Sequence, residues 1–198
     1  MKTLVIDTSS KNLYVMVLDG QKTIKTVMTD NQRQHSVVLN KAISDTLKKA
    51  DCALKDIDVY AVCVGTGSFT GIRVGISVAK AYNLVFGKKY VAVNSLCSLA
   101  YTKKGRVNCL MDAGKGWYFA VYDGANEIEP PHLIEDEQAQ KLASLPDTVI
   151  FDDTADYSEQ IEKQVRDKIA ANNFCDKLTP LYIRVCQAEE ERQKGVIK

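Results

Sequence analysis

Leu4-Val5-Ile6-Asp7-Thr8-Ser9-Ser10 opens a frame that closes at Asp19-Gly20, and the same frame returns between Val107 and Asp123-Gly124. In the first copy a short apolar strand ends on Asp7, Leu13 to Leu18 supplies a second strand, and Asp19-Gly20 makes the turn, because Asp and Gly tolerate positive φ. In the second, Val107 to Met111 ends on Asp112, Trp117 to Tyr122 follows, and Asp123-Gly124 turns. The two Asp-to-Asp spacings differ by a single residue.

Working outward, each frame is followed by the same kinds of element. Thr23 to Met28 reads as a third strand. His35 to Ala50 reads as a helix, with Leu39, Ile43, Leu47 and Ala50 on one face and Val38 and Ala42 beside them. Val59 to Val64 is a strand, a glycine-rich turn follows, and Ile72 to Phe86 is a second helix. Tyr90 to Val93 adds a short strand before a helix near Ser95. In the second half a weaker strand spans Glu127 to Ile134, a helix runs from Glu137 to Leu145 and stops at Pro146, Thr148 to Phe151 is a strand, and Glu159 to Ala171 is a charged helix. Each half is β-β-β-α-β-α. The alternative is two unrelated mixed segments that happen to agree. Duplication predicts an α/β fold of two ribonuclease H-like lobes, the architecture of actin and the Hsp70-type ATPases, with lobes at 1–98 and 99–198 and a last helix able to pack back on the first lobe. In such a fold the hairpins Asp7-Thr8-Ser9-Ser10 and Asp112-Ala113-Gly114-Lys115-Gly116 face each other across a central cleft, where nucleotide phosphates would lie.

Composition narrows the function classes. The 198 residues are 45% hydrophobic and 26% charged, with a formal net charge of +1, an ordinary globular balance without the broad basic surface that nucleic acid or an anionic membrane would require. The start reaches Asp7 after three apolar residues, unlike a signal peptide. The longest apolar-rich run, Ile72 to Phe86, carries Arg73 and Lys80 and falls short of the roughly 20 residues of a membrane span. A soluble, cytoplasmic protein is expected. The six cysteines (52, 63, 97, 109, 175 and 186) include no CxxC pair, so reduced core thiols are expected rather than a zinc site.

Three segments carry the candidate chemistry. Gly65-Thr66-Gly67-Ser68-Phe69-Thr70-Gly71 lies between a strand and a helix, where inward N–H groups and a helix N-terminus can hold an anion. It is neither a Walker loop nor GxGxxG, and a tight turn whose glycines permit close packing is the other reading. The helix that follows is apolar nearly all round, with a narrow polar stripe at Arg73, Ser77 and Lys80, so it needs cover on two sides. Its own lobe could supply both. The sharper reading is an oligomer face built from Arg73, Val74, Ser77, Val78, Ala81 and Tyr82 with Val37, Val38 and Lys41 of the preceding helix; Gly75 and Ala79, four apart, would permit close helix approach. His35 opens that preceding helix, where a metal site would want a second His at i+4. Leu39 stands there, so His35 is expected to cap the helix or meet a partner, and no metal is expected.

Asp7-Thr8-Ser9, the His35 helix, Gly67-Ser68-Phe69-Thr70-Gly71-Ile72-Arg73-Val74-Gly75 and the late run Pro180-Leu181-Tyr182-Ile183-Arg184 together resemble the bacterial TsaB (YeaZ) family, over essentially the whole chain in order. The resemblance implies a non-catalytic, actin-like subunit of the machinery that makes threonylcarbamoyladenosine in tRNA beside the anticodon. It implies pairing with the transferase subunit TsaD, a paralogue, through the first two helices of each, with the small ATPase TsaE docking on the pair, a homodimer when alone, tRNA met only through the complex, and no cofactor. The interface residues would then be His35, Val37, Val38, Lys41, Arg73, Val74, Ser77, Val78, Ala81 and Tyr82. A vestigial phosphate loop would comprise Asp7, Thr8, Ser9, Gly65, Gly67, Ser68, Thr70 and Gly71, with no catalytic residue. Leu39 replaces the second histidine of the paralogue's metal pair. The turn Phe151-Asp152-Asp153-Thr154-Ala155-Asp156 lacks the paired glycines that admit adenosine, and places three carboxylates where an anion would sit. Gly114 stands where many relatives carry Arg.

Two other functions remain open on the sequence. One is a weak ATPase or metallopeptidase-like enzyme, which would need a nucleotide or metal site from a chain with only His35 and His132 as histidines. The other is a free-standing homodimer with an unrelated binding role.

Overall fold

The computed structural model describes residues 1–29 and 34–183; Arg184, Cys186 and the charged run 189–198 lie outside the described residues. Among the described residues, nine strands and five α-helices follow in order: β1 (Lys2–Asp7), β2 (Leu13–Asp19), β3 (Lys22–Met28), α1 (His35–Lys49), β4 (Val59–Gly65), α2 (Phe69–Phe86), β5 (Lys89–Asn94), α3 (Ser95–Ala100), β6 (Arg106–Asp112), β7 (Trp117–Asp123), β8 (Asn126–Ile134), α4 (Asp136–Ala143), β9 (Thr148–Ile150) and α5 (Ser158–Ala170). A 3-10 turn at Leu54–Asp56 leads into β4.

The strands form two sheets of one design. The first has the order β3-β2-β1-β4-β5 and the second β8-β7-β6-β9. In each, the opening strand pairs antiparallel with the next and parallel with the strand that follows the first long helix, β1 with β4 and β6 with β9. The duplication is therefore structural, and the architecture is the two-lobed actin-like one. β1, β2 and β4 are buried on both faces, which is why they read as continuous apolar runs instead of alternating ones.

The layers explain the core. Leu4, Ile6, Val15 and Val62 on one face of the first sheet pack against Leu39 and Ile43 of α1 and Ile72 and Ile76 of α2. On the opposite face Val5, Met16, Cys63 and Val93 meet α3, α5 and the inner face of the second sheet in one continuous cluster. A small third cluster, Leu110, Phe119, Ile134 and Ala139, seats α4 on the outer face of the second sheet.

The two lobes are tied together by polar contacts as well. Gln164 of α5 is fully buried; its carbonyl accepts from Asn94 N at 2.8 Å, and its amide donates to Asn94 O at 2.9 Å and Ser98 Oγ at 3.0 Å. Lys168 Nζ donates to Ala92 O at 2.8 Å, and Arg166 to Gly20 O at 2.6 Å. Past α5 the chain returns to the first lobe: Cys175 and Tyr90 exchange backbone hydrogen bonds, Leu178 enters the first core, and Leu181 N donates to Val64 O at 2.7 Å.

α2 starts at Phe69, three residues before the position expected from the sequence. The Ser68 side chain caps it by accepting from Gly71 N, and Gly87, left-handed at φ 59°, ends it. Among the described residues no helix is long and apolar enough to cross a membrane.

Candidate functional site: the interlobe cleft and the outward face of the first two helices

The hairpins at the ends of β1 and β6 do face each other, across a cleft of about 640 Å³ whose walls include Ser10, Lys11, Phe69, Asp112, Tyr118 and Phe151. What the cleft can hold depends on where its backbone donors point. Ser9 N donates to Asp7 Oδ1 at 2.8 Å and Ser9 Oγ to the same oxygen at 2.6 Å. Ser68 N donates to Ser9 O at 2.6 Å, Gly114 N to Asp112 Oδ1 at 2.6 Å and Thr154 N to Asp152 Oδ1 at 2.8 Å. Each loop that would turn an N–H toward a phosphate in a nucleotide site thus has one taken by an oxygen of this chain. The cleft cation Lys11 is 3.3 Å from Asp153, and Asp112 and Asp152 stand nearby. An incoming polyphosphate would meet like charge and, in each of these loops, a donor already taken. Asp156 is not part of this wall: its carboxylate accepts from Ser158 N and lies 4.0 Å from Lys25.

The glycines between β4 and α2 serve contact. A Cβ on Gly67 would collide with the carbonyl oxygen of Ser9, and one on Gly71 with that of Thr8; on Gly75 it would come within 2.6 Å of Thr8 Oγ1. Thr8 Oγ1 in turn donates to Gly71 O at 2.6 Å. The first hairpin and the α2 start are therefore in backbone contact, with Thr8 and Ser9 buried between them. Gly75 and fully buried Ala79 point at the chain's own first sheet, which corrects the expectation that this pair serves approach by another helix.

Asp7 is buried, and burial raises its carboxyl above the ordinary 3.8 although Ser9's hydrogen bonds oppose the rise. Ser9 Oγ continues to Ser95 Oγ at 2.9 Å, which lies 3.1 Å from Cys63 Sγ. Burial pushes the Cys63 thiol up to about 12, so this polar chain is a closed structural network with no exposed nucleophile. Among the described residues, no group of three or more His, Cys, Asp or Glu side chains is placed to hold a metal.

The second candidate is the outward side of α1 and α2. Val37, Lys41, Arg73, Ser77 and Ala81 are exposed there, with Val38, Val74, Val78 and Tyr82 half-buried between the helices and their sheet. Tyr82 Oη donates to Asn40 Oδ1 at 3.0 Å across the helix pair. His35 stands apart from these: it is buried, and its Nε2 lies 2.8 Å from Ser10 O, so it ties the α1 start to the first hairpin. Leu84 and Val85 are not among the interface residues expected from the sequence, yet they are 90% and 75% exposed, as is Val37 at 75%. They follow Ala81 by three and four residues on one helix face, the spacing that could have flagged them.

The chain is similar over residues 25–176 to a family described as TsaD, tRNA N6-adenosine threonylcarbamoyltransferase. It is 32% identical over 132 residues to the Bacillus subtilis tRNA threonylcarbamoyladenosine biosynthesis protein TsaB, a match covering 65% of this chain and 58% of that protein. It is 41% identical over 70 residues to the tRNA N6-adenosine threonylcarbamoyltransferase of Bartonella henselae, covering 35% of this chain and 19% of that one. The chain thus matches a little over half the length of the first relative and about a fifth of the second. In three dimensions it superimposes on YeaZ from Pseudomonas aeruginosa with a TM-score of 0.78 at 21% identity, covering 91% of this chain and all of that one, a likeness of fold.

Proposed function

Because the chain belongs to the TsaB (YeaZ) family, we propose that it acts in cytoplasmic tRNA threonylcarbamoyladenosine biosynthesis as a non-catalytic subunit that binds the transferase TsaD through the outward face of α1 and α2. The observation that carries this reading is the apolar patch made by exposed Val37 of α1 and Ala81, Leu84 and Val85 of α2, with half-buried Val74 and Val78 between them, on two helices whose inward faces are already filled. Apolar patches of this kind on a folded chain mark interaction sites, and the helix pair is the part that a paralogous helix pair can meet in kind. The cleft supports the non-catalytic half: in each of its loops a backbone donor is taken by an oxygen of the chain itself. TsaE would dock on the assembled pair, and tRNA would be met through the complex.

Size-exclusion chromatography with light scattering tests this, on the chain alone and mixed with TsaD. A 1:1 complex, formed at the expense of any homodimer, is expected. Ala81→Arg, on an exposed turn of α2, should abolish the complex and leave the circular dichroism unchanged. A folded variant with normal affinity for TsaD would remove the α1–α2 face from the reading, and a homodimer that ignores TsaD would leave only a self-associating protein.

A further inference from the structure

Arg73 shares the exposed side of α2 with Ser77 and Lys80, beside the apolar Ala81, Leu84 and Val85, and the way it is held sets it apart from an ordinary surface arginine. Its Nε donates to Tyr182 Oη at 2.7 Å. Its guanidinium carbon lies 3.8 Å from the centroid of the Phe69 ring and 5.5 Å from that of Tyr182, and the two rings are 5.0 Å apart. Phe69 is 40% exposed and Tyr182 44%, so this is a surface assembly. A free arginine spreads over many rotamers, whereas one hydrogen bond and a ring stack fix this guanidinium in plane and in direction. Nε is spent on Tyr182. Among the described residues the two terminal nitrogens form no ion pair or hydrogen bond, leaving the edge that accepts a carboxylate through two parallel N–H···O bonds.

Tyr182 belongs to the segment that returns from the second lobe, one residue after Leu181, whose N–H is held by Val64 O at 2.7 Å and whose carbonyl packs on Gly65. The segment that follows α5 therefore sets the orientation of a side chain on α2. We propose that the Phe69–Arg73–Tyr182 cluster is a carboxylate-binding anchor at the edge of the α1–α2 face, which receives an Asp or Glu of the TsaD subunit and is held ready by the C-terminal strap. The inference rests on the proposed pairing with TsaD. The setting favours a protein carboxylate over a phosphate: Val74, Val78, Ala81, Leu84 and Val85 flank the Arg73–Ser77–Lys80 stripe, and a nucleic-acid surface would need more cations in register than Arg73 and Lys80 supply. Aromatic rings and arginine are the residues that dominate protein interfaces.

The test measures the affinity of TsaD for the full chain by calorimetry, at low and at high ionic strength. Arg73→Ala should weaken binding by about tenfold to a hundredfold, the range of an interface anchor, and should flatten the salt dependence seen with the wild type. Arg73→Lys should not restore it, since an ammonium neither stacks on Phe69 nor forks. Tyr182→Phe, which removes only the orienting hydroxyl, should weaken binding by about threefold to tenfold while the melting temperature holds. If the wild type binds and all three variants bind as tightly, with the same salt slope, the anchor is wrong and the pairing stands. If the wild type does not bind, the pairing itself is wrong and the anchor falls with it. Weaker binding confined to Tyr182→Phe would also overturn the anchor, since that would be a strap effect not routed through Arg73.

Discussion

Gly71→Ala separates a packing role for the glycine-rich turn from an anion-binding one. Gly71 is the third residue of α2, with no positive φ to explain its choice. In an unobstructed helix interior the change would stabilise by about 1 kcal/mol, since glycine is the poorer helix former. In this helix the new methyl would overlap the carbonyl oxygen of Thr8. Neither side can yield cheaply. Thr8 Oγ1 is bonded to Gly71 O, Ser9 O takes Ser68 N, and Asp7 behind them is buried. Overpacking of this kind costs about 1–3 kcal/mol, and displacing the hairpin would sacrifice two hydrogen bonds of about 1 kcal/mol each. After the helix-propensity gain, the net loss should be about 2–4 kcal/mol. For a chain of 198 residues that lowers the melting temperature by roughly 4–16 °C, at about 2–4 °C per kcal/mol. Urea titration followed by circular dichroism measures it, with Ala81→Gly as the control, an exposed position in the same helix that should lose only about 1 kcal/mol through propensity. A Gly71→Ala protein as stable as the wild type would refute the close-contact account and return the loop to the anion-binding reading.

The remaining predictions concern buried groups. Burial holds the Asp7 carboxyl above the ordinary 3.8; a raised folded value means its contribution to stability is complete below about pH 4 and is lost as pH rises through that value. Asp7→Asn keeps an oxygen for both Ser9 donors and removes the titration, so its urea midpoint should gain on the wild type as pH rises above about 4; parallel pH profiles would show that the folded carboxyl is not raised. Burial also pushes the thiols of Cys63, Cys97 and Cys109 up to about 12. Iodoacetamide at pH 8 followed by peptide mass mapping should find all three unmodified in the native protein and alkylated in urea, and native alkylation of any of them would contradict its burial between the sheets.

Local chemistry made much of the fold readable. Asp-Gly turns fix hairpins by backbone preference, so both frames were visible, and the parallel return to β1 and β6 followed from the intervening helices. The α2 start was set three residues late because its cap, Ser68, sits inside a glycine-rich stretch that reads as loop, and only the Ser68–Gly71 bond identifies it. The candidate site was half legible. Helical spacing found the stripe from Arg73 to Tyr82 but stopped before Leu84 and Val85, where apolar residues read equally well as the end of a buried helix. His35 read as a helix cap or a partner contact because nothing near it in sequence shows that Ser10 O lies 2.8 Å from its ring. The occupied cleft donors were beyond reach for the same reason: the bond from Ser68 to Ser9 joins residues far apart along the chain.

The return of the chain after α5 also bears on how the protein emerges from the ribosome. Leu178 completes the core beneath the first two helices, and Cys175 is the partner of Tyr90 on the edge of the first sheet. During synthesis the N-terminal half, though made first, cannot close its own core until the segment carrying Cys175 and Leu178 has been translated. It must wait with apolar surface uncovered, in the period when a nascent chain is most exposed to aggregation.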